Sequence, residues 1–270
     1  MGLSAQVAFS SLLAFFPAVI FLVGVADLFG VYGTLQDFLA PVAPREVLDT
    51  IETLQQATST ETSVVAFLVG ASLAIWAASG AMGAVIKSVN RAYDRVETRP
   101  FWRTRLIAIV LVCLTGLVLA GLLLLIVFGG PLGTAIADKA GLGGAFELVW
   151  AIFRWPIAFL AIILFFSLVY YLAPNVDVRS WEWLSPGALI GSVMWLALSG
   201  LFSLYTSLSD SYSRTYGALA SGIVLLLWLN YSAFALLFGA ELNSELDRQA
   251  EIRAAGGDKA GLVKPSRRPR

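Results

Sequence analysis

Six stretches of this chain, residues 1–26, 62–86, 106–137, 155–176, 183–209 and 215–240, contain no Asp, Glu, Lys or Arg. A helix rises ~1.5 Å per residue, so about 20 apolar residues cross a ~30 Å hydrocarbon core. Every stretch reaches that length, and charge bounds them: Asp27, Glu61 and Lys87, Arg105 and Asp138, Arg154 and Asp177, Glu182 and Asp210, Arg214 and Glu241. A membrane strand would alternate apolar and polar residues, and a run such as 122–128 does not. Composition points the same way: 58% of residues are hydrophobic and 13% charged, with a mean hydropathy of +0.80. That charge is too sparse to solvate a soluble globule, in which roughly 25% of residues are charged. The expected fold is all-α, a polytopic membrane bundle of six transmembrane helices within residues 1–250. The spans are about 5–29, 62–86, 105–129, 150–173, 183–208 and 215–241. The third stretch exceeds a span, and Gly129, Gly130 and Pro131 end its helix.

Direction follows from Lys and Arg. The second connection holds Lys87, Arg91, Arg95, Arg99, Arg103 and Arg105, and the C-terminal tail holds Arg248, Arg253, Lys259, Lys264, Arg267, Arg268 and Arg270. The odd-numbered connections offer only Arg45, Lys139 and Arg214, with Arg154 at the mouth of the fourth span. Both termini are therefore expected in the cytoplasm. The first 26 residues lack the basic region of a signal peptide.

Between the first two spans, Leu35, Phe38, Leu39 and Val42, then Val47, Ile51 and Leu54, repeat at helical spacing, with Pro41 and Pro44 between the two sets. This predicts short amphipathic helices on the extracytoplasmic face, a cap over residues 33–58 that either packs on the bundle or covers a cavity. After the second span the helical pattern continues. Lys87, Arg91 and Arg95 are four apart and stack on one face, a row suited to anionic lipid phosphate as well as to topology alone. Pro100 turns the chain, and Phe101 and Trp102 mark the next interface. The end of the chain, 251–270, rich in Gly and charge from Gly256 onward, is expected to be a disordered cytoplasmic tail.

Within the spans, Gly187 and Gly191 form a GxxxG. Gly116 with Ala120, and Ala218 with Gly222, extend a small-xxx-small pattern that serves internal packing or a homo-oligomer. Pro17 and Pro186 kink or cap helices. Asn230 stands deep in the sixth span, where an amide needs a partner helix, water or a substrate. Glu241, Arg154, Tyr216 and Asp27 complete the candidates for a substrate cavity. The chain has no histidine and one cysteine, which excludes His–Cys zinc sites, Ser–His–Asp triads, haem or iron–sulfur ligation and an internal disulfide. No metal or cofactor is expected. Equal numbers of basic and acidic residues, 18 each, exclude a generally basic nucleic-acid binder.

Taken in order, the stretches 8–30, 83–106 ("GAVIKSVNRAYDRVETRPFWRTRL"), 170–175 ("YYLAPN"), 187–195 ("GALIGSVMW") and 216–246 resemble the YihY/BrkB family of bacterial inner-membrane proteins. Members of that family usually carry a few dozen residues before the first span, whereas this chain opens almost inside it. The resemblance implies a helical inner-membrane bundle. Names attached to the family include ribonuclease, serum resistance and transport. A metal-dependent nuclease would need imidazoles or clustered carboxylates, and here the acids are scattered. Three classes stay open: a transporter or flippase for an anionic or lipid-like molecule, a non-transporting scaffold that binds lipid or an envelope-assembly partner, and an intramembrane enzyme. No paired catalytic set supports the last.

Overall fold

A computed structural model describes the backbone of residues 2–28, 63–123, 143–176, 185–207 and 210–254, with residues 125 and 139. Side chains are described over 2–15, 70–122, 148–176, 185–205 and 222–250 and at a few isolated positions. Among the described residues the regular structure is helical, without a strand. The elements are α1 (Gly2–Leu28), α2 (Ser63–Ala92), α3 (Phe101–Leu123), α4 (Gly143–Leu172), α5 (Pro186–Ser207) and α6 (Asp210–Ala254). Five of them are long and apolar enough to cross a membrane, within Gly70–Ala92, Phe101–Leu122, Leu148–Leu172, Pro186–Tyr205 and Gly222–Ala250. In α1 the described apolar run is Gly2–Phe15. The chain is thus a multi-pass membrane protein whose described regular structure is helical. The residues of the expected cap, 33–58, and those after Ala254 lie outside the described residues.

Large apolar side chains face outward along the helices: Leu117 is 70% exposed, Leu148 64% and Leu201 64%. In water such a surface would aggregate; in a bilayer it is the solvent-facing side. The interior is lined mainly by small and β-branched residues, among them Ala108, Val169, Ala188 and Ala235, which let helices approach closely. At 45 residues, α6 is ~68 Å long and must project beyond the hydrocarbon core.

The chain divides into two compact units, and the division falls inside α2, α5 and α6. The first comprises Met1–Ser88 and Ala197–Phe234. Here α5 and α6 form a helical hairpin: the Trp228 indole N–H donates to Ser199 Oγ at 3.2 Å, and Phe202 meets Tyr231 edge to face at 6.2 Å. The second comprises Val89–Leu196 and Ala235–Arg270. In it α3 packs along α4, and a web of polar contacts ties the helix ends together.

The end of α2 corrects the expectation that its helix runs on through Arg95. It stops at Ala92. The Arg95 amide donates back to the Asn90 carbonyl at 2.8 Å and the Asp94 amide to that of Arg91 at 3.2 Å, with Asp94 left-handed at φ 50°. This bond pair closes a helix with a left-handed residue, a place usually held by glycine. Lys87 and Arg91 are exposed on the last turns, whereas Arg95 lies past the turn, half-buried, and is not part of their row. Pro186 is the first residue of α5, where its missing N–H costs nothing.

Candidate functional site

Two polar clusters in the second unit join the stretches 83–106, 170–175, 187–195 and 216–246. The first forms where the connection after α2 meets the end of α4. Arg99 donates from Nε to Glu97 Oε1 at 2.7 Å and from Nη2 to Oε2 at 2.6 Å, a two-pronged ion pair with the guanidinium side chain only 5% exposed. The same guanidinium donates to the carbonyls of Leu172 at 3.4 Å and Ala173 at 2.8 Å. Those carbonyls lie at the negative end of α4, where helix partners run out and a cation is favoured. Pro174, fully buried, follows and prevents the helix from continuing.

Asn90 and Asn175 complete this cluster. Asn90 donates to Glu97 Oε2 at 2.8 Å and accepts the Asn175 backbone N–H at 2.7 Å. The Asn175 amide donates in turn to the Val96 carbonyl at 3.0 Å and Thr98 Oγ1 at 2.8 Å. Burial pushes the Glu97 carboxyl upward, but the hydrogen bonds and charge of Arg99 and the amide of Asn90 outweigh it, leaving Glu97 below its ordinary value.

The second cluster starts α5. Ser185 caps the helix by accepting the Ala188 N–H on Oγ at 3.2 Å. From α6, Asn243 Oδ1 accepts the Gly187 N–H at 2.8 Å while its amide donates to Ser185 Oγ at 3.0 Å. Gly187 and Gly239 cross backbone to backbone, so that a Cβ on either would collide with the other's carbonyl oxygen. Tyr170 donates to the Leu236 carbonyl at 2.7 Å, and a Cβ on Gly191 would stand 3.0 Å from its hydroxyl. Tyr93 hydrogen-bonds to Asn243; burial first, then the Asp247 carboxylate, push its hydroxyl well above its ordinary value, so it stays neutral. The clusters hold the helix ends in register, and none of their buried side-chain polar atoms lacks a hydrogen-bond partner.

The candidate cavity residues are placed elsewhere. Asn230 belongs to the first unit, half-buried, with Oδ1 buried and without a hydrogen-bond partner among the described residues. Glu241 is exposed on α6 in the second unit. Arg154 lies inside α4, within its apolar stretch Leu148–Leu172. Its guanidinium sits 5.5 Å from the Trp155 ring centroid, and its Nε is buried without a hydrogen-bond partner among the described residues. The side chains of Asp27 and Tyr216 lie outside the described residues. Of the packing glycines, Gly187 and Gly191 are buried, whereas Gly116 and Gly222 are exposed with open space where a Cβ would stand.

Sequence reasoning did not single out Asn90, Glu97, Arg99, Asn175 or Asn243. Their available signal was position: polar residues just beyond span ends, within the stretches that carried the resemblance. Buried hydroxyls without a partner among the described residues also sit in the spans, at Ser88 in the first unit and Thr104 and Ser192 in the second. Among the described residues no three His, Cys, Asp or Glu side chains gather as a metal site.

The chain matches the family model described as Virulence factor BrkB over residues 1–261. It is similar to a ribonuclease-like protein, YfkH, of Bacillus subtilis (strain 168), with 32% identity over 254 residues, 92% of this chain and 90% of that protein. It is also similar to a UPF0761 membrane protein of Idiomarina loihiensis, 33% identical over 34% of this chain and 32% of that one. A UPF0761 membrane protein of Mannheimia succiniciproducens is 33% identical over 44% of this chain and 40% of its own length. The matched region is thus less than half the length of those two UPF0761 relatives. No solved structure matches the chain significantly.

Proposed function

The chain belongs to the Virulence factor BrkB family of multi-pass membrane proteins, and from that premise we propose that it passes an anionic or lipid-like molecule across the bacterial inner membrane. One observation carries this reading: polar atoms of the first unit buried in apolar spans without a hydrogen-bond partner among the described residues, Asn230 Oδ1 and Ser88 Oγ. A solid membrane core would bear a cost of about 1–3 kcal/mol for each such group. A path that admits water or a polar headgroup removes that cost, because the passing molecule supplies the missing bonds. Six crossings with both termini cytoplasmic, as the Lys and Arg distribution suggests, would set the exposed Lys87 and Arg91 beside the anionic inner leaflet.

The polar clusters favour a second reading, a scaffold whose fixed helix ends present a surface to lipid or to an envelope-assembly partner. Nuclease chemistry draws little support, since the chain lacks histidine, the commonest general acid and base.

Flux decides between the two. Reconstituted in liposomes, the full chain is expected to speed transbilayer movement of fluorescent phosphatidylglycerol or of an organic anion, and Asn230→Leu to slow it. No movement across a broad panel of lipids and anions, with the protein folded and inserted, would overturn passage and leave the scaffold.

A further inference from the structure

Arg154 follows six uncharged residues, 148–153, and lies within the apolar stretch Leu148–Leu172 of α4. A cation in such a stretch needs an opposite charge or a route to the headgroups. Within the described protein it has neither carboxylate nor carbonyl partner, only the ring of Trp155. Its neighbours on α4 face the lipid: Ile152 and Phe153 are each 58% exposed and Trp155 56%. Two residues on, Pro156 lacks an N–H, so the Ile152 carbonyl loses its usual helical donor.

We infer that the guanidinium of Arg154 holds the phosphate of a phospholipid drawn into the boundary of the leaflet at the α4 N-terminal end. Guanidinium presents a planar fork of donors that matches two phosphate oxygens, and the indole N–H of Trp155 supplies another donor beside it. The exposed Ile152 and Phe153 lie against acyl chains, while the freed carbonyl of Ile152 can accept from a headgroup hydroxyl or ammonium. These lipid-facing side chains distinguish a bilayer phospholipid from a free anion arriving through water. The site does not require that the protein transport anything.

The full-length protein, purified in mild detergent with equal amounts of phosphatidylglycerol and diacylglycerol, can be read by native mass spectrometry. Wild type is expected to retain phosphatidylglycerol over diacylglycerol, and Arg154→Gln to retain roughly tenfold less, the loss of one good charged contact. Arg154→Lys, which keeps the charge but not the fork, should fall between them and carries the test alone if Arg154→Gln does not fold. Retention of phosphatidylglycerol equal to wild type in these variants would overturn the inference. So would equal retention of diacylglycerol, or full displacement by millimolar inorganic phosphate, which would mark a free-anion site. Retention is read without flux, so failure here leaves the proposed passage standing, and failure of flux leaves this site standing.

Discussion

Arg99 and Arg154 carry the same group in the same compact unit and meet opposite circumstances at opposite ends of α4. Arg99 is almost wholly buried, grips Glu97 with two prongs and closes the carbonyls of Leu172 and Ala173. Arg154 stands among lipid-facing residues beside an indole, with no acceptor among the described residues. A guanidinium desolvated at such expense must find compensation somewhere. At Arg99 the compensation lies within the chain, so the residue is architecture. At Arg154 no such compensation lies among the described residues, and the inferred phospholipid would supply it from outside.

The contrast breaks first on stability. Arg99→Ala should lower the unfolding free energy by about 3 kcal/mol, because it strands Glu97 and two helix-end carbonyls. Arg154→Gln should change it by less than about 1 kcal/mol, because no acceptor among the described residues is stranded by the change. Denaturant or thermal unfolding of the two variants in bicelles compares them directly; equal losses would erase the distinction.

A parallel contrast separates the glycines. Gly187→Ala forces the α5–α6 crossing apart against the Gly239 carbonyl and should cost about 2 kcal/mol. Gly116→Ala enters open space and should be neutral or slightly stabilising, by up to about 1 kcal/mol from helix propensity. The same unfolding measurement reads both, and a large loss at Gly116 would point to a partner helix covering it.

Glu97 offers a pH test. Its carboxyl is held below the ordinary 4.5, so its contribution is present above that value and is lost as pH falls through the lowered folded value. Wild type should exceed Glu97→Gln by about 1 kcal/mol at pH 7, with the gap closing only below pH ~4.5. A gap unchanged down to pH ~3 would show that the charge on Glu97 does not hold the cluster. The smallest effect belongs to Asp94, left-handed at φ 50°. Asp94→Gly should stabilise by about 0.5 kcal/mol, seen as a small rise in melting temperature, whereas Asp94→Val should destabilise.

Most of the fold was legible because a membrane span writes itself in consecutive residues: long apolar runs bounded by charge need no knowledge of partners. The polar clusters were not legible for the converse reason. Asn90 and Asn175 are 85 residues apart, and Gly187 and Asn243 are 56 apart, so no local pattern announces either pair. The end of α2 misled because Asp94 occupies a position where glycine would have signalled a stop, while Lys87, Arg91 and Arg95 kept helical spacing past it. Gly187 and Gly116 share one small-residue pattern and lie in opposite surroundings, since spacing names a helix face without saying what that face meets.

The claim that polar groups left open in the spans form the working part of the protein is tested most directly at Asn230. With Cys113 replaced by Ser, Asn230→Cys can be exposed to a small membrane-impermeant thiol reagent in sealed proteoliposomes. A water-lined path predicts modification there, slowed when anionic phospholipid or organic anion is added. A thiol that stays unmodified from both sides of the membrane, in protein that is folded and inserted, would contradict the account and leave Asn230 in a dry core.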